Sequence, residues 1–241
     1  MATDPTTMAA DADHPDHDDE LELPYWGLSW PKVITLVIAF AFLGGAIGHW
    51  IGHAGPPGED SVDTGFYKDM IHHHDQAVSM ALHEQANGAD PVVVGFATEI
   101  LRRQSYEIGV MSTKLDEWGY GTSPNDTAMR WMDMPVPLEQ MPGLATADQM
   151  AQLKNARGAD ADALFLQLMS EHHRGGVHMA DYAYRHATNQ STRDLAQRMA
   201  YVQATEVNEF RELAQRTSLG VTIEPQAVTV PDPSAGQQNT D

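Results

Sequence analysis

From Val33 to Ile51 the sequence VITLVIAFAFLGGAIGHWI runs nineteen residues without Lys, Arg, Asp or Glu, close to the ~20 apolar residues needed to span a bilayer. Beyond residue 62 the apolar positions instead recur every three or four residues, the period of an amphipathic helix. Capping signals bound four long helices: about 63–87, ended by Asn87-Gly88; about 91–118, opened by Asp90-Pro91 and closed by Gly119; about 161–189, opened by Asp160; and about 192–218, opened by Ser191. A shorter helix over about 147–157 has a capping box in Thr146 and Gln149 and stops at Gly158. No convincing strand pattern is present.

These elements predict five regions. Residues 1–31 form an acidic disordered tail, whose first 24 residues include His14 and His17 but no Lys or Arg. Residues 32–51 form a transmembrane anchor, flanked by Trp26, Trp30 and Trp50 as interfacial aromatics. Lys32 on its N-terminal side orients the N-terminus inward and the remainder outward. Gly52-His53-Ala54 also fits a signal-peptide cleavage site, but the stretch before the apolar run is acidic, which favours an uncleaved anchor. A linker, 52–61, leads to a helical domain over 62–218, and 219–241, rich in Pro, Gln, Thr and Gly, reads as a second disordered tail.

Composition narrows the chemistry. The 241 residues carry 34 Asp+Glu against 14 Lys+Arg, a formal charge of −20, which excludes nucleic acid as a partner. Cysteine is absent, so disulfides, thiolate metal sites and cysteine nucleophiles are excluded together. Any metal must be held by His, Met or carboxylates, and the chain offers 12 His and 13 Met.

Both residue types cluster in an internal repeat. FYKDMIHHHDQAVSMA (66–81) aligns with FLQLMSEHHRGGVHMA (165–180) at an offset of 99 residues, superposing Met70/Met169, His73/His172, His74/His173 and Met80/Met179. The same offset aligns Gln104/Gln203 and Glu107/Glu206 on the partner helices. A helical hairpin has been duplicated, and two such hairpins close into an all-α, antiparallel four-helix bundle. Phe66, Met70, His73, Ala77 and Met80 share one helical face, matched by Phe165, Met169, His172, Gly176 and Met179. Ile100, Gln104, Glu107 and Met111, with Met199, Gln203, Glu206 and Phe210, form the other inward stripes.

Histidine and glutamate at mid-stripe admit two readings. They satisfy one another as a structural hydrogen-bond network, or they bind metal. Methionines one turn either side of the histidines favour metal, because thioether with imidazole suits Cu(I), whereas iron or manganese would suit a carboxylate-rich Glu-x-x-His arrangement missing from the repeated positions. Met129, Met132, Met134 and Met141, between the hairpins, form either a hydrophobic lid or an exposed metal-loading surface. His83 and His178 have no repeat partner and are expected at the surface.

The repeated M-x-x-H-H-x-x-x-V-x-M-A, the Met141-Pro142-Gly143 turn and the Gln-x-x-Glu helix resemble the bacterial family catalogued as domain of unknown function 305, over about residues 62–218. The resemblance implies a ferritin-like fold, a secreted or membrane-anchored bundle and, for some members, copper binding and resistance, with no established enzymatic activity. It marks His73, His74, His172, His173, Met70, Met80, Met169 and Met179 as the motif residues. The expected function is sequestration or transfer of copper by a single-pass, extracytoplasmic protein. The alternatives are a ferritin-like oxidase using iron or copper with Glu107 and Glu206 as ligands, and an interaction module whose His–Met stripe is merely core. The sequence leaves open whether the bundle forms a homo-oligomer.

Overall fold

The computed structural model describes residues 27, 29–52, 55–217 and 219–235. These belong to two compact units that meet in sequence at Ala54 and Gly55. The acidic stretch with His14, His17 and Trp26 lies outside the described residues, as do His53 and the Trp50 side chain.

In the first unit, α1 (Trp30–Gly52) is a 23-residue helix. Ile34, Val37, Phe40 and Leu43 are all exposed, the arrangement of a helix that is apolar all round. Its Trp30–Gly48 portion is long and apolar enough to cross a membrane.

The second unit contains α2 (Val62–Asn87), α3 (Pro91–Glu117), α4 (Ala147–Asn155), α5 (Ala159–His186) and α6 (Gln190–Thr217). Ser61 caps α2, and Asp90 caps α3 ahead of Pro91. The Thr146–Gln149 capping box closes both of its hydrogen bonds at the start of α4. Two caps differ from expectation. Gly158, at φ +60°, precedes α5 in place of Asp160, and Asn189 caps α6 by accepting from the Ser191 amide at 2.9 Å.

The duplication is visible as two hairpins, α2–α3 and α5–α6, which meet through α2 and α5. Each is fastened to the other by an aspartate. Asp162 on α5 accepts from the Ala89 and Asp90 amides in the first hairpin's turn. Asp63 on α2 accepts from the Thr188 and Asn189 amides in the second, and from the Thr188 hydroxyl at 2.7 Å. A buried carboxylate making three charge-assisted hydrogen bonds offsets its own desolvation and satisfies the turn amides.

The connector between the hairpins decides between the two readings of its methionines. Met129, Met132 and Met141 are buried beside Trp131, and only Met134, 49% exposed, stands out. The segment is therefore a lid rather than an exposed methionine surface. Asp69 organises it by accepting from Trp131 Nε1 and from the Met129 amide, both at 2.7 Å. Trp131 lies against Gly65, where a Cβ would collide with the indole. A short antiparallel pair, β1 (Thr127–Ala128) with β2 (Val136–Pro137), also forms here although no strand was expected.

The C-terminal tail departs from the disorder expected of it. Residues 219–235 run as an extended strap over α5 and α6, burying Ile223 and Val230. Asn208 exchanges two hydrogen bonds with the Gln226 backbone, Arg174 donates to the Glu224 carbonyl, and Gln197 donates to that of Pro231. A polar, proline-rich segment needs no helical periodicity when neighbouring side chains satisfy its backbone.

Candidate metal centre

The helical register brings His73, His74, His172 and His173 to the middle of the bundle, all with 0% exposure. His73 and His172, on the facing helices α2 and α5, place their rings 3.7 Å apart between centroids. His172 Nε2 lies 2.8 Å from the His73 carbonyl. A carbonyl only accepts, so Nε2 carries the proton and Nδ1 presents a bare lone pair. The outer histidines point the other way in each hairpin: His74 Nε2 lies 2.8 Å from Glu107 on α3, and His173 Nε2 lies 2.9 Å from Glu206 on α6.

The expected ligands therefore sort into layers. Met70 and Met179, from opposite hairpins, join Met111, Met129, Met141 and Met199 in one apolar cluster. Met80 and Met169 meet in a second cluster with Ile100, Phe165 and Phe210. His73, His172 and their neighbours form a polar layer in the same bundle. The ten candidate residues are all buried, but among the described residues no three His, Asp or Glu side chains converge as a ready-made metal cage. The reason is local: each glutamate is turned onto its own histidine, and the two central rings lie against each other at a tilt of 32°.

The layer is conspicuously short of partners. Nδ1 of all four histidines, Nε2 of His73, and the amide groups of Gln104 and Gln203 are buried without a hydrogen bond. Each such atom costs about 1–3 kcal/mol. Burial first, and then the neighbouring imidazoles, hold His73 well below the usual histidine range, and burial holds His172 there in the same way. Both are neutral imidazoles at neutral pH, the form that ligates metal. Burial raises Glu206, yet hydrogen bonds and charge from His173 and Arg103 bring it below the usual carboxylate range. Orphaned neutral imidazoles between thioether-bearing layers fit a soft ion.

The family match covers residues 63–214, under the description "Domain of unknown function (DUF305)". The chain belongs to the DUF305 family. The match takes in α2, α3, the connector, α5 and nearly all of α6, whereas α1 lies outside it. A Streptomyces coelicolor DUF305 protein, described as secreted, is 35% identical with a TM-score of 0.64, covering 69% of this chain and 99% of its own. A DUF305 fragment from Deinococcus radiodurans is 23% identical with a TM-score of 0.56, covering 67% and 99%. CopM, solved in a Cu(I)-bound form, is 24% identical with a TM-score of 0.49, covering 64% and 96%. No curated relative matches.

Several residues of this DUF305 site escape sequence reasoning. Asp63 and Asp162 stand at the repeat offset and were findable by extending the alignment to the helix starts. Arg103, which donates through Nη2 to both Glu206 oxygens, breaks the repeat and leaves no such signal. Of the two histidines expected at the surface, His178 is exposed and His83 is half-buried.

Proposed function

We propose that this chain is a membrane-anchored, extracytoplasmic copper-binding protein that sequesters or passes on Cu(I) by ligand exchange among His and Met. The observation that carries this reading is the layer of buried imidazole nitrogens without a hydrogen bond on His73, His74, His172 and His173, two of which, His73 and His172, burial holds neutral. A purely structural network completes its hydrogen bonds, because an incomplete one is worse than an apolar core; this one is incomplete at every histidine. Met70, Met80, Met169 and Met179 supply thioethers in the adjoining layers and select a soft ion over hard divalent cations.

The carboxylates support binding rather than turnover. A ferritin-like oxidase would place Glu107 and Glu206 on the metal, but Glu206 is held by both Arg103 and His173. In this reading the glutamates fix the ring orientation of His74 and His173 from outside the ligand set, as partners of metal-bound histidines do. The helix α1 serves as an uncleaved anchor with the bundle outside, following Lys32.

The deciding experiment is elemental analysis and Cu(I) competition titration of the tag-free full chain in detergent. Stoichiometric Cu(I) that is lost on exchanging His73 and His172 together supports the reading. A chain that acquires no copper overturns it. Retention of the unprocessed chain in membranes after carbonate washing tests the anchor, and a soluble chain beginning near Gly55 refutes it.

A further inference from the structure

The two His–Glu pairs are related by the repeat, yet their surroundings are not. Glu206 and Glu107 are almost equally buried, 5% and 7% exposed, but different groups cover them. Arg103 reaches from α3 to clamp both oxygens of Glu206 at 2.5 and 2.6 Å. The residue 99 positions after Arg103 is Val202, so the repeat supplies Glu107 with no equivalent guanidinium. Val202 instead lines a cleft of about 410 Å³ between α3 and α6, together with Arg103, Tyr106, Glu107, Arg198 and Pro233 of the C-terminal strap. Directly behind Glu107 lies His74, at 2.8 Å.

The α2–α5 face of the same layer is closed by the connector. The Pro142 carbonyl lies so close to Gly175 that no Cβ fits between them, and Gly143 sits against the His172 carbonyl. Gln76 pins the connector by exchanging two hydrogen bonds with the Ala145 backbone. A path to the histidines through that face would require the connector to leave.

Resting on the copper reading above, we propose that the α3–α6 cleft is a port through which Cu(I) reaches the histidine layer, that His74, behind Glu107, is the first ligand it meets, and that the Arg103 clamp keeps Glu206 and His173 closed to it. The charge of Arg103 is matched within its pair. Arg198 on the cleft wall favours an ion that arrives with anionic ligands over a bare cation.

The test is a stopped-flow measurement of Cu(I) transfer from its anionic bicinchoninate complex to the full chain in detergent. Val202→Trp fills the cleft without altering a His, Met or Glu. It is expected to slow loading about tenfold or more while leaving the equilibrium Cu(I) affinity unchanged. Val202→Phe, a smaller plug, is the companion variant if circular dichroism shows Val202→Trp misfolded. Wild-type loading rates in a folded plug variant overturn the port, and so does an affinity loss matching the loss of rate, because the position then acts on the site and not the path. Failure of the unaltered chain to take Cu(I) at all overturns the copper reading itself, and the port with it.

Discussion

The two hairpins of the bundle agree at their interior and differ at their edges. The 99-residue offset pairs His73 with His172, His74 with His173, Gln104 with Gln203, Glu107 with Glu206, Asp63 with Asp162, and the helix caps Asp90 and Asn189. It fails at Arg103, opposite Val202; at Glu84, opposite Ala183; and at Ala77, opposite Gly176. Gly176 is small because the Gln203 amide occupies the space a Cβ would need. The matched residues carry the polar layer and the fastenings between hairpins. The unmatched ones decide which end is sealed, which end titrates and which side is open, so the duplicated scaffold presents two different faces to solvent.

The strongest test of this comparison is at the aspartate fastenings. Asp63→Ala strips three hydrogen bonds from the second hairpin's turn and should lower the stability of the metal-free protein by about 3–5 kcal/mol, read from urea unfolding. Asp162→Ala strips only the two amide hydrogen bonds in the first hairpin's turn and should cost less. Equal losses would mean that the added Thr188 hydroxyl bond at Asp63 does not distinguish the two ends.

Glu84 itself gives the next largest effect, and it depends on pH. Burial, and then the neighbouring Asp162, push its pKa up to about 8 from a model-peptide value of 4.5. A raised folded-state pKa contributes stability that is fully present below about 4.5 and is lost as pH rises through about 8. Glu84→Gln, which does not titrate, should therefore be more stable than the unaltered chain at pH 7, by about 1–3 kcal/mol. The difference should vanish near pH 4 and reach its maximum above about 8. A difference independent of pH would remove Glu84 from the account.

The central histidines should separate stability from binding. Phenylalanine keeps a ring in place of imidazole but has no polar atoms. His73→Phe removes two unpartnered nitrogens and should leave apo stability within about 1 kcal/mol or raise it. His172→Phe abandons the His73 carbonyl and should cost about 1–2 kcal/mol more than its counterpart. Both should lose Cu(I) affinity by about tenfold or more, equivalent to about 1.4 kcal/mol. Unchanged affinity with large apo destabilisation would make the layer structural.

The methionines are expected to affect stability least. Met70→Leu, Met80→Leu, Met169→Leu and Met179→Leu conserve volume closely and should each cost less than about 1.5 kcal/mol. Together they should weaken Cu(I) far more than Cu(II) or Zn(II). Equal weakening of the three ions, measured by competition titration, would remove the thioethers from the site.

The sequence alone determined the helices, the duplication and the inward faces, because helical period, caps and self-similarity are local properties that a single chain displays directly. It also marked eight of the ten candidate residues as interior, since position on a helical face follows from spacing, whereas His74 and His173 entered through the repeat and the family motif. Partnership is a matter of distance between elements, and here only the tertiary structure decided. His74 and His173 take Glu107 and Glu206, the His73 and His172 rings meet at a tilt, and the methionines divide between two layers. The same holds for Met129, Met132 and Met141, whose irregular segment gave no period by which to read burial until Asp69 and Trp131 folded it onto α2. The strap over 219–235 was illegible for the related reason that Ile223 and Val230 follow no helical or strand period, and its backbone is satisfied by Asn208, Arg174 and Gln197 on the helices beneath it.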